Sequence, residues 1–174
     1  MNTKNRTKQL TPAGASRRKR SASRVSVLKL RRILVPLDFS GQSRQALEAA
    51  VPLARRYGGK IILIHIVQPP VVLSPIPGSG QYLVPMDNDR AVSAAKDHLA
   101  GLARKLVPAG LLERTLVRQG HPSHEIISAA RTLKIDLIVI ATHGRSGLSR
   151  MLIGSTAERV VRHAHCPVLA ARRR

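Results

Sequence analysis

The sequence predicts an α/β fold: an open, doubly wound, five-stranded parallel sheet with helices on both faces. Two observations carry the prediction. Short, β-branched apolar runs alternate with longer segments whose apolar residues recur at helical spacing, in the order β-α-β-α-β-α-β-α-β. The second run, Ile61 to Val67, is almost continuously apolar, as befits a central strand covered on both faces. Right-handed crossovers between parallel strands then place helices above and below one sheet.

Each element has its own warrant. Ile33-Leu34-Val35 is a short buried strand running into the loop Pro36-Leu37-Asp38-Phe39-Ser40. Ser40 is placed to cap a helix over 41–57, where Ala46, Leu47, Ala50, Leu53 and Ala54 share a face, and Gly58-Gly59 stops it. The strand 61–67 follows. Residues 68–86 hold Pro69, Pro70, Pro75, Pro77 and Pro85, so a long loop without regular structure is expected, a candidate lid over the site below. A helix over 88–107 and a strand over 111–117 come next. Pro122 suits the first position of a helix over 122–134. The strand 136–141, a helix over 155–164 and a last strand over 167–170 complete the pattern.

Composition narrows the function. The chain has 174 residues and a formal charge of +21, with 30 Lys and Arg against 9 Asp and Glu. One cysteine, Cys166, excludes an internal disulfide framework and a Cys-rich zinc module. No Trp, one Phe and two Tyr argue against RNA readers built on stacked aromatics. No apolar run reaches the ~18–20 residues of a membrane span, so a soluble, cytoplasmic protein is expected. Residues 1–32 hold 11 Lys and Arg and no acid. We therefore read residues 1–29 as a disordered basic arm ahead of a domain over 30–174. A solvated tail and a transit peptide are alternatives to an arm that contacts nucleic acid or an anionic surface through residues 1–32.

In a doubly wound sheet, ligands bind at the carboxyl ends of strands where the strand order reverses. The loop after the fourth strand is rich in glycine and leads through Gly154-Ser155 into a helix. Helix N-termini attract anions, and Arg145 and Arg150 add positive charge, so a phosphate-binding loop is inferred beside the alternative of an ordinary βα connection. Ser155 and Glu158 have the spacing of a capping box. The loop is not a Walker P-loop, and the first βα turn lacks G-x-G-x-x-G. Asp38, ending the first strand, is placed either to accept from ribose hydroxyls or simply to cap the first helix.

From about residue 30 to its end the chain resembles a universal stress protein domain. The resemblance rests on Ile33-Leu34-Val35-Pro36-Leu37-Asp38-Phe39-Ser40 and on Leu63-Ile64-His65-Ile66. It is strongest in Thr142-His143-Gly144, nine residues, Gly154-Ser155, and then Cys166-Pro167-Val168-Leu169. The nucleotide-binding branch of that family is similar to G-x-x-G-x9-G-[ST] here; Gly144, the nine-residue spacer, Gly154 and Ser155 match, and Ala141 stands in place of the first glycine.

The resemblance implies a strand order of 3-2-1-4-5 and binding of ATP, with or without Mg2+. It places Asp38 on the ribose or the adenine edge, Pro36 and Ile66 along the adenine, and Ile140 beneath it. His143 and Gly144 would lie along the phosphates, with Gly154 and Ser155 binding phosphate. Leu37, Ala141, Arg145 and Thr156 complete the candidate site. It also implies a homodimer paired through residues 166–171, a short apolar edge.

Other clusters carry less. His163, His165 and Cys166 are read as packing and surface residues rather than metal ligands, and no metal site is expected. His65 reads as a hydrogen-bonded core histidine. No general base, Walker acid or arginine finger stands out, so at most slow ATP hydrolysis is expected. The favoured reading is a stress-response module that binds ATP. Its alternatives are a nucleotide-free interaction dimer and an anionic-surface binder.

Overall fold

The computed structural model describes residues 29–69, 71–76, 80–85, 88–143 and 153–172. Its main sheet is built from β1 (Arg32–Pro36), β2 (Lys60–Val67), β5 (Leu112–Gln119), β6 (Leu137–Ala141) and β7 (Val168–Ala171). The strands are all parallel, in the order β5-β2-β1-β6-β7. Counted within this sheet, that is the expected 3-2-1-4-5.

Alternation along the central strands sorts the core into two layers. Ile33 and Val35 of β1, Ile61 and Leu63 of β2, and Leu137 and Val139 of β6 face one side. There they meet Leu47 and Ala50 of α1 (Gly41–Tyr57) and Leu99 and Ala103 of α2 (Asp89–Leu106). Leu34, Ile62, Ile64, Ile138 and Ile140 face the other side, against Ile126 and Ala129 of α3 (Pro122–Thr132) and Ala157 and Val160 of α4 (Ser155–His163). A leucine or isoleucine side chain stabilises the fold by about 1.5–3 kcal/mol when fully buried.

One expectation is corrected. Residues 68–86, expected as a loop, instead hold β3 (Val71–Ile76) and β4 (Gly80–Pro85), an antiparallel ribbon separate from the main sheet. Each strand of a two-stranded ribbon has one unpaired edge, where proline's missing N–H does no harm. Pro75 and Pro85 therefore fit within the ribbon, paired with Gln81 and Val71.

The helix signals hold at α1. Ser40 is its N-cap and accepts from the Ser43 N–H at 3.1 Å, while Gly58 takes the left-handed conformation at its end (φ 66°). Pro122 occupies the first turn of α3. At the start of β1, one carboxylate oxygen of Asp136 accepts from the Arg31 and Arg32 N–H groups at 2.8 and 2.9 Å.

Candidate functional site

β1 and β6 pair through Ile33–Leu137 and Leu34–Ile138 only. Beyond that point β1 stays with β2, and Leu37 donates its N–H to the Ile64 carbonyl at 2.8 Å. The crossovers from β1 and β6 leave in opposite directions, so a crevice opens where the strand order reverses. A cleft of about 890 Å³ occupies it.

Pro36, Leu37, Asp38, Ile66, Ile140, Ala141, His143, Gly154, Ser155 and Thr156 all line this cleft. Gly144 and Arg145 lie outside the described residues. Ala141 ends β6 with its side chain in the core layer beneath α1, and its φ is not positive. Nothing in the backbone at that position requires glycine.

On the β1 side, Asp38 Oδ1 accepts from the Ser40 N–H at 3.0 Å and from the Ser40 hydroxyl at 2.6 Å. The Ser40 oxygen in turn caps α1. Asp38 thus reaches the cleft wall; the cap of α1 is Ser40 rather than Asp38, which braces it.

Between Asp38 and Ser40, Phe39 has φ 68°, a left-handed conformation that costs a non-glycine residue about 1–2 kcal/mol. Its ring lies between two imidazoles: His65 at 4.1 Å and His98 at 4.2 Å between centroids, both stacked. His65 Nδ1 stands 2.6 Å from the Leu37 carbonyl. A carbonyl only accepts, so Nδ1 carries the hydrogen. This stack helps hold the strained turn and forms one wall of the cleft, with Ala91, Ala94 and Ala95 of α2 beside it.

On the β6 side, Gly154 is the N-cap of α4, and among the described residues no side chain caps that helix. The capping-box expectation is corrected: Ser155 is the first helical residue, so its hydroxyl does not occupy the cap position. Gly154 donates its N–H to the Thr142 carbonyl at 2.6 Å, locking the start of α4 to the end of β6. Thr142 is buried, and its hydroxyl lies 3.0 Å from His143 Nδ1. The cleft therefore joins an apolar and aromatic wall, a carboxylate and a helix N-terminus. Those features suit a planar base, a polyhydroxylated sugar and an anion in turn.

The α2 wall is absent from the sequence reading. Right-handed crossovers put α2 over β2, and Ala91, Ala94, Ala95 and His98 share one helical face, so their spacing is the available signal. Elsewhere, Cys166 is half-buried; burial, and then the charge of Asp136, push its thiol up. Among the described residues no group of three or more His, Cys, Asp or Glu is arranged to hold a metal. No described helix is long and apolar enough to cross a membrane.

A model of the universal stress protein family matches residues 29–172. Universal stress protein MJ0531 of Methanocaldococcus jannaschii is 33% identical over 145 residues, covering 82% of each chain. Among solved structures, universal stress protein UspA from Lactobacillus plantarum aligns with a TM-score of 0.67 and 26% identity, over 83% of this chain and 99% of that one. A universal stress protein in complex with cAMP aligns with a TM-score of 0.60 and 21% identity, over 83% and 98%; at that identity the likeness concerns the fold.

Proposed function

The chain belongs to the universal stress protein family, and from that premise we propose that it is a regulatory module that binds an adenine nucleotide, ATP with or without Mg2+, in the cleft between β1 and β6. The observation that carries this reading is the placing of Asp38 at the end of β1 and the glycine-capped N-terminus of α4 in one cleft, across the point where the strand order reverses. In this reading Pro36, Leu37, Ile66 and Ile140 hold the base and exclude water from it. Asp38 accepts from sugar hydroxyls. Ser155 and Thr156 present backbone N–H groups and hydroxyls to phosphate, Gly154 sets the start of α4 through its own N–H on the Thr142 carbonyl, and His143, with the motif residues Gly144 and Arg145, adds to the phosphate side.

A neighbour in fold was solved with cAMP, an adenine nucleotide, which supports the ligand class. The ordinary strand backbone at Ala141 supports it too, since the departure from the family's glycine pattern leaves the backbone there undisturbed. The reading extends to a homodimer. Among the described residues β7 borders only β6, and Leu169 on it is 40% exposed, an edge that a second β7 would fill.

Thermal unfolding of the purified, nucleotide-stripped protein with and without Mg-ATP tests the reading. Ligand at about 100 times its dissociation constant adds about 2.7 kcal/mol. A chain of this size then melts roughly 5–10 °C higher. Absence of a shift with ATP, ADP, AMP and cAMP, in a protein that still runs as a dimer, would replace this reading with the nucleotide-free interaction dimer.

A further inference from the structure

The charge of the folded part is polarised along the strand axis. Helices in right-handed crossovers run antiparallel to their strands, so α1, α2 and α3 end at the pole where the strands begin, opposite the cleft. They finish on Arg55 and Arg56, on Arg104 and Lys105, and on Arg131 with Lys134 just beyond, all exposed. β1 and β2 start at the same pole, where Arg32 and Lys60 are register partners and Lys29 and Arg31 are exposed.

Basic last turns alone follow from the helix dipole. What distinguishes this pole is its shortage of acid. Its described acids are Glu113 and Asp136, and both are engaged. Glu113 pairs with Arg32 at 3.2 Å and Arg114 at 3.4 Å, and Asp136 accepts the Arg31 and Arg32 backbone N–H groups. Among the described residues the cleft pole is closer to balance: Arg44, Arg90, Arg118, Arg159 and Arg172 stand against Asp38, Asp89, Glu125 and Glu158, with Arg118 paired to Glu125 at 3.4 Å. The chain also enters the fold at the basic pole, and residues 1–32 carry 11 Lys and Arg with no acid.

We infer that this pole forms a cationic surface that binds the phosphodiester backbone of nucleic acid without reading its sequence. Arginine forks match phosphate oxygens two at a time, and several helix ends at one pole can neutralise successive phosphates. Tyr57, 50% exposed beside Arg56, adds a hydroxyl of the kind that bonds phosphate. A membrane anchor needs an apolar face beside its cations. Here Tyr57 and Val161 are the large apolar residues exposed at this pole among the described residues, on helices that pack against opposite faces of the sheet, and residues 1–28 hold no aromatic side chain. The surface lies opposite the cleft, so the inference stands whether or not the cleft holds nucleotide.

The test is fluorescence anisotropy of the full chain with labelled duplex DNA of arbitrary sequence, across a salt series. Affinity is expected to fall about 10³-fold or more between ~50 and ~200 mM salt. Arg55→Gln/Arg56→Gln/Arg104→Gln/Lys105→Gln makes the log–log salt slope shallower by about 0.9 for each phosphate that is no longer neutralised. Arg90→Gln/Arg159→Gln, at the other pole, leaves it unchanged. If the fourfold variant fails to fold, Arg55→Gln/Arg104→Gln serves. The inference is overturned if the folded pole variants bind DNA with wild-type affinity and slope, since the leading segment would then act alone. Binding to phosphatidylserine vesicles as tight as to DNA would also overturn it.

Discussion

The backbone of Gly154 approaches the carbonyl of Thr142 to 2.6 Å, and a Cβ on Gly154 would stand 3.1 Å from the same oxygen. The glycine is there for closeness rather than for its dihedral angles, because its φ of −72° is open to any residue. Gly154→Val pushes the first turn of α4 away from β6. The expected cost is about 1–3 kcal/mol, with the fold retained and the stabilisation by Mg-ATP lost. Paired thermal melts with and without nucleotide measure both. A normal nucleotide shift in this variant would remove α4 from the proposed site.

Asp38 carries two loads that separate by substitution. Asp38→Asn retains a carbonyl oxygen for the Ser40 N–H and hydroxyl, whereas Asp38→Ala leaves both without that acceptor. The alanine variant is expected to lose about 1–2 kcal/mol through the weakened cap of α1. Both variants weaken nucleotide binding by roughly tenfold or more, since a charged acceptor for the sugar is gone. Urea unfolding and isothermal titration calorimetry distinguish the two effects. Equal affinity for Asp38→Asn and wild type would restrict Asp38 to the cap.

Most of the sheet is legible in the sequence because its signals are local. Strand burial is written in the continuous run from Ile61, and the start and stop of α1 in Ser40 and Gly58. The strand order comes from the family motif around Gly144, Gly154 and Ser155, since no local pattern encodes which strand lies beside which. The ribbon β3–β4 is illegible because a count of prolines does not say which edge each proline occupies. The stack of His65, Phe39 and His98 is illegible for another reason: it joins three elements far apart in sequence. At α4 the spacing of Ser155 and Glu158 misleads by one position, enough to exchange a cap for a first helical residue.

The adjacent glycines after α1 are needed for opposite reasons. Gly58 has open space around it but φ 66°, while a Cβ on Gly59 would stand 2.2 Å from the Leu30 carbonyl oxygen. Gly58→Ala is expected to cost about 1–2 kcal/mol from backbone strain. Gly59→Ala must move the backbone entering β1, and the expected loss exceeds ~3 kcal/mol. Urea midpoints at unchanged m-value report the difference. A milder effect at Gly59 than at Gly58 would contradict the packing described.

Leu169 tests the edge of the sheet. It sits on β7, exposed, on a strand that no described segment covers from outside. Leu169→Lys puts a charge on that edge and is expected to convert the proposed dimer to monomer, with unfolding of the monomer altered by less than ~1 kcal/mol. Sedimentation velocity at several concentrations reads the outcome. A variant that still sediments as a dimer would place the interface elsewhere.

Cys166 gives the pH dependence. Burial and the neighbouring charge of Asp136 raise its thiol above the ordinary value of 9.0. A group with a raised pKa in the folded state contributes stability while it stays protonated. That contribution is complete below the unfolded-state value and is lost as pH rises through the folded one. Stability should therefore decline above about pH 9, and Cys166→Ser should flatten that decline. Alkylation with iodoacetamide at about pH 8 should run more slowly than on an unstructured cysteine peptide, because less thiolate is present. Asp136→Asn keeps an acceptor for Arg31 and Arg32 but removes the charge, and should speed the reaction. An alkylation rate matching that of the peptide would mean that the thiol is neither buried nor held protonated.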